Sequence, residues 1–254
     1  MKTNNKLSIC LMTALLILTG CGAQKQFIAL PQETKKEIQS TDIYLLDCQD
    51  KMHFDVENSN VSGYTGGGLL FALIDGAIME GRKNDAEKAL VPLQEVLKNI
   101  DVQEYLNSAL IPSLKESEWL KAQDIHHVKN INNDELKEVI LKTKSDAVLV
   151  THFNYRLSHD FKKLTGAFYV TLYPASDRLK TLLKIEDPLK EPLFKTHVIL
   201  HENLKNCHDD IQKNADLWSV NDAFYLKDAI KNLIHRLTAN LEKQIQNPEA
   251  IETK

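Results

Sequence analysis

Asp146-Ala-Val-Leu-Val-Thr-His-Phe-Asn-Tyr-Arg156 is the stretch on which the fold turns. An apolar run, AVLV, passes into the alternation THFNYR, the period-two pattern of a strand with unlike faces. A second segment, Thr165 to Tyr173, sets Phe168, Val170 and Leu172 on one face and Tyr169, Thr171 and Tyr173 on the other. The polar connection Ser158 to Lys163 joins the two as a β-hairpin with a longer loop. Further strands are expected at Ile43 to Cys48 and His197 to His201. Helical spacing covers Lys88 to Leu97 and Val102 to Leu114, and Asn133-Asp134-Glu135 can start a helix that runs through Lys142. The strongest helix is expected to begin at the N-cap Ser219, with Phe224, Ile230, Leu233, Leu237 and Leu241 as its apolar stripe and Pro248 as its end. The predicted architecture is α/β or α+β. It has a single mixed sheet with a central antiparallel hairpin, packed by helices that include a long C-terminal amphipathic helix.

The N-terminus carries a different message. Lys2 and Lys6 precede an apolar stretch, Leu7 to Thr19, that is too short to span a bilayer as a helix. Leu18-Thr19-Gly20-Cys21 resembles the lipobox of bacterial lipoprotein precursors. The resemblance implies a diacylglycerol thioether on Cys21, cleavage before it, and acylation of the new amino terminus. Gly22, where Asp would signal inner-membrane retention, implies sorting to the outer membrane, facing the periplasm. The expected organisation is a cleaved signal peptide at 1–20, a lipidated N-terminus and flexible tether at 21–40, one α/β domain at 41–246 and a tail at 247–254.

Composition narrows the function. Cleavage removes Lys2 and Lys6, so the net charge falls from −4 to −6 as the chain shortens from 254 to 234 residues. An acidic chain without a basic cluster is a poor ligand for nucleic acid. It also gains little from anionic lipid, which leaves the acyl chains as the membrane attachment. Of the four cysteines, Cys48 and Cys207 remain after Cys10 and Cys21 are assigned to the signal and the lipid. An oxidising compartment permits them to pair, and two separate small hydrophobes are the alternative.

No motif names an activity. Gly66-Gly67-Gly68 lacks the lysine of a phosphate loop and the spacing of a dinucleotide fingerprint. Gly68, Ala72 and Gly76, four apart, would line a small-residue helix face suited to close packing within the domain, with lipid or partner contact as the alternative. His197, His201, Cys207, His208, Asp209 and Asp210 are the densest group of metal-ligand types. On a strand, however, His197 and His201 stand roughly 13 Å apart at about 3.3 Å per residue, too far to share an ion. Serine-nucleophile signatures are absent, Cys48 with His53 is a pair that any histidine-rich chain offers, and Asp47 and Asp50 read as a solvated strand end. No cofactor and no catalytic or metal residue is expected. Tyr169, Thr171 and Tyr173 form the candidate partner surface, since tyrosine is enriched at interface anchors.

The element order and the segment Ser145-Asp-Ala-Val-Leu-Val150 resemble envelope lipoproteins with a small α/β domain. Examples are the lipoprotein activators of penicillin-binding proteins and the curli-secretion lipoproteins. The chain is also similar to uncharacterised bacterial lipoproteins with an early Gly-Gly-Gly and a later SDAVLV-type strand. These resemblances carry no site residue across. The expected function is a non-enzymatic, membrane-anchored envelope lipoprotein that presents its domain to a protein partner or assembly. The rival reading is a lipid-anchored hydrolase or metal-dependent enzyme that uses the His197 to Asp210 group or the first-strand aspartates.

Overall fold

The computed structural model describes residues 27–47, 53–54, 84–85, 88–95, 97, 100–129 and 131–248. Cys21, Cys48, Asp50 and the segment from Gly66 to Gly76 lie outside these residues. The strands are β1 (Thr41–Leu46), β2 (His53–Phe54), β3 (Ala122–Val128), β4 (Ala147–Leu157), β5 (Lys163–Pro174) and β6 (Phe194–Asn203). The helices are α1 (Gln32–Glu37), α2 (Val102–Glu116), α3 (Asn133–Lys142), α4 (Asp177–Leu183) and α5 (Ile211–Gln246). Residues 88–95 are also helical.

The architecture is α/β, built on one mixed sheet in the order β3-β1-β4-β5-β6, with β2 beside β4. The hairpin is central, as its alternation predicts. β4 and β5 pair antiparallel from Ala147↔Pro174 to Leu157↔Leu164, and β6 continues the antiparallel half. β1 lies parallel to both β4 and β3. The connections from β1 to β3 and from β3 to β4 pass through α2 and α3, as parallel pairing requires. β3 is an edge strand whose sequence, AQDIHHV, has no clean alternation.

The alternate residues of the hairpin face two layers. Leu149, Phe153, Leu157, Leu164, Phe168, Val170 and Leu172 are buried with Leu226, Ile230, Leu233, Leu237 and Leu241 of α5, and with α2 and the helix of residues 88–95. On the opposite face a smaller cluster joins Leu136 and Ile140 of α3 to Val148, with Tyr44, Val150 and Tyr173 packed against it. α3 starts where expected because Asn132 accepts from the backbone N–H groups of Asp134 and Glu135, while Glu135 reaches back to the Asn132 N–H.

Two expectations are corrected. The C-terminal helix does not begin at Ser219. Its N-cap is Asp210, whose carboxylate accepts from the Lys213 N–H, and helix runs from Ile211 up to an interruption at Val220 to Ala223. Asn221, Asp222 and Ala223 there hold φ between 52° and 57°, a region that Asn and Asp tolerate better than most residues. Before the break, the Trp218 indole donates to the Phe161 carbonyl at 2.7 Å and ties this arm to the hairpin loop. After it, Phe224 is 61% exposed rather than part of the stripe, and Leu226 takes the buried position. The polar segment before residue 41 is not wholly a tether. Ile28 bridges to Lys195 on β6, Leu30 and Ile38 are fully buried, and Leu30 donates to the Pro248 carbonyl at 3.0 Å. The short apolar run Phe27 to Leu30 and the lone Ile38, parted by a polar stretch, give no periodic signal.

Candidate functional site

The second sheet face, covered by α3 over part of its extent, carries half-buried polar and titratable side chains. Beneath α3, at the β1–β3 edge, lies a cavity of about 720 Å³ lined by Asp42, Tyr44, Gln123, Asp124, His126, Glu135, Glu138 and Ser145, among others. Its composition follows from register. Thr41 pairs with Ala122 but Ile43 pairs with Ile125, so β3 holds one residue more than β1 in this interval. Gln123 and Asp124 therefore stand together opposite Asp42. The strands then return to step, with His126 beside Tyr44. A bulge of this kind re-aims side chains, and here it brings Asp124 to Asp42.

Asp42 is only 9% exposed. Its carboxylate accepts from the hydroxyls of Thr143 and of Ser145, the latter at 2.8 Å. Both donors lie in the turn between α3 and β4, so the SDAVLV segment positions a group on the neighbouring strand. The Tyr44 ring stacks on His126 with centroids 4.6 Å apart. Burial, followed by the charges of Asp42 and Asp124, pushes the Tyr44 hydroxyl above its ordinary value. One ligand atom from each of Asp42, Asp124 and His126 lies within 4.8 Å of the others. At the rim Lys142 pairs with Glu138 at 2.7 Å.

A separate polar hub closes the start of β4. Asp146 accepts from the Gln39 N–H at 2.9 Å, the Ser176 hydroxyl at 2.7 Å and the Arg178 guanidinium at 2.9 Å. It links the N-terminal segment to α4 and is fully occupied by structural partners.

The other half of this face, over β4, β5 and β6, is a strip of aromatic and imidazole rings. His152, Tyr169 and His197 occupy one row across the three strands, with Tyr169 6.4 Å from His152 and 5.8 Å from His197 between ring centroids. Phe27 stacks on His197 at 4.4 Å. Tyr169 and Ile199 are 39% and 41% exposed. Burial holds the His152 imidazole below its ordinary value, and its Nδ1 is buried without a hydrogen-bond partner among the described residues. His197 is lowered by burial and then by Lys195, and His201 by burial and then by Lys163 and Arg156. The strip is thus cationic at its margins.

The candidate residues from the sequence divide between these places. Tyr169 is exposed on the strip, Thr171 is half-buried, and Tyr173 packs against the α3 cluster, so the three do not form one open surface. His197 stacks on Phe27 and His201 contacts Thr165 at 2.9 Å. Cys207 is exposed with a free thiol. Among the described residues His197, His201, Cys207, His208, Asp209 and Asp210 form no converging ligand group. Asp47 donates its backbone N–H to Val128 at 2.9 Å and lies at the opposite end of β1 from the cavity. The element order leaves room for a strand or edge segment ahead of α3, but the irregular pattern of AQDIHHV assigns it no residues, so Asp124 and His126 are not placed beside Asp42 by the sequence. The i, i+2 spacing of Asp124 and His126 was the available signal.

Comparison with protein-family models, curated proteins and solved structures finds no match to the chain.

Proposed function

We propose that the protein is a cell-envelope lipoprotein, held at the membrane by lipid on Cys21, that presents the open half of its sheet to an acidic protein partner. The anchor rests on the ordered sequence signals Lys2, Lys6, the apolar stretch and Leu18 to Cys21. The carrying observation for the binding surface is that Tyr169 and Ile199 stand exposed on adjacent strands whose other face is the main core. Two large apolar side chains at one spot on a rigid sheet make an anchor of the kind that interfaces bury at their centre. Lys195 and Lys163 on the same face favour a negatively charged partner. No helix among the described residues is long and apolar enough to cross a membrane.

Photo-crosslinking in intact cells tests the proposal. A crosslinker at Tyr169 or Ile199 should yield one discrete protein adduct, which a second change, Lys195→Glu, weakens. The same probe at Leu182, an exposed apolar residue of α4, should not yield it. Equal adducts at all three positions, or none, would overturn the surface. Retention of the Cys21→Ser variant in the membrane fraction would overturn the anchor.

A further inference from the structure

We propose that Asp42, Asp124 and His126 bind a divalent transition-metal cation, of the zinc or manganese class, on the β1–β3 wall of the cavity under α3. The three ligand atoms already lie within 4.8 Å of one another, although they come from two strands far apart in sequence. Ligands of a tetrahedral zinc, at 2.0–2.2 Å from the ion, are about 3.4 Å apart. A closure of up to about 1.4 Å therefore completes the set. Exposed Asp124 and half-buried His126 can supply that movement, while Asp42 stays fixed by the Thr143 and Ser145 hydroxyls.

The electrostatics point the same way. Two carboxylates meet here, Asp42 buried and Asp124 open to solvent, and their like charges repel. Among the described residues neither forms a salt bridge with a lysine or arginine: Lys142 is engaged with Glu138. A dication between the carboxylates would turn that repulsion into attraction. The imidazole favours zinc over magnesium and calcium, which prefer all-oxygen shells, and the two carboxylates also suit manganese. The flanking groups match those of a metal site. Hydroxyls orient the buried carboxylate, and the Tyr44 ring stacked at 4.6 Å fixes the imidazole plane. Three protein ligands leave further coordination positions facing the cavity, open to water or to an incoming oxygen donor.

The test uses the full-length lipidated protein in detergent, stripped with chelator and titrated with ZnCl₂, MnCl₂ and MgCl₂ by calorimetry, with bound metal counted by elemental analysis. The expected result is one zinc or manganese per chain and weaker magnesium binding. Asp124→Asn and His126→Ala should each reduce affinity by about 100-fold, and Ser145→Ala, which only orients Asp42, by about 10-fold. His201→Ala and Cys207→Ser should leave binding unchanged. Cobalt substitution gives a second readout, since the visible absorption of the bound ion should change in His126→Gln while the melting profile of the stripped protein stays that of the native chain. Stoichiometric binding that survives both Asp124→Asn and His126→Ala would overturn the assignment. So would binding lost instead in Cys207→Ser, or no binding of zinc or manganese below about 1 mM.

Discussion

Phe168 and Tyr169 are neighbours in sequence and occupy opposite worlds. Phe168 is fully buried among Leu, Val and Phe side chains, whereas Tyr169 is flanked by two histidines and 39% exposed. The same division runs the length of the hairpin. One face meets α5 and α2 and is mainly apolar, with Thr151 buried among its hydrophobic side chains. The other is covered by α3 over its parallel half, and along its antiparallel half it carries imidazoles, a tyrosine and lysines. A single sheet can thus hold the fold with one set of alternate residues and present a chemically different set on its other face, since a strand's two faces are chemically independent.

The largest expected effect is on the apolar face. Phe168→Ala should destabilise the domain by about 3–5 kcal/mol in urea unfolding, the range for truncating a buried aromatic. Tyr169→Ala, one residue away, should cost less than about 1 kcal/mol, as for a substitution outside the main core. Comparable losses would erase the distinction between the faces. Gly166 sharpens it next. A Cβ there would stand 2.7 Å from Leu233 Cδ2 and 2.8 Å from Leu237 Cδ1, so these two side chains of α5 fill the space over Gly166 and would have to shift. Gly166→Val should cost about 3 kcal/mol by overpacking, and Leu237→Ala in the same chain should recover part of it, a coupling measurable as a double-mutant cycle.

Asp146 comes third, with a loss of about 2 kcal/mol on Asp146→Ala from its broken charged hydrogen bonds. Burial alone would raise this carboxyl. The Ser176 and Arg178 side chains, the Gln39 N–H and the Arg178 charge outweigh burial and hold it below the usual range. With a depressed folded value, its contribution is complete above the unfolded value of about 3.9 and is lost as pH falls through the folded value. Acid titration of stability should therefore be shallower in Asp146→Asn than in the native chain. The smallest effect belongs to His152. Burial lowers its folded value, so the unfolded chain binds the proton more readily and stability declines as pH drops below about 6.5. His152→Leu should flatten the stability profile between pH 7 and 5, and an unchanged slope would show that the ring titrates alike in both states.

Legibility in the sequence followed the strength of local pattern. The β4–β5 alternation and the extent of α3 are both read directly from period and composition. β3 was not read by residue, because Gln123 and Asp124 interrupt its alternation where the strand bulges. The interruption that hid the strand is the one that assembles Asp42 with Asp124. The start of α5 was misplaced for a related reason. Ser219 looks like a cap beside Asp222, but the chain is already helical there, anchored by Trp218, and breaks just after it. The candidate partner surface was half legible: alternation put Tyr169, Thr171 and Tyr173 on one face, but it carries no information on which part of that face α3 covers.

The sequence by itself determined the two-faced hairpin, the amphipathic stripe of α5 and the caps of α3, because each depends on residues within a few positions of one another. It is also the sole source for the lipid reading of Cys21. The tertiary structure alone decided that, among the described residues, α3 covers one half of the free face and not the other, that Tyr169 and Ile199 are exposed together, and that Asp42 meets Asp124 and His126. Those outcomes depend on the register between distant strands and on where a helix comes to rest, and hydrophobic periodicity encodes neither.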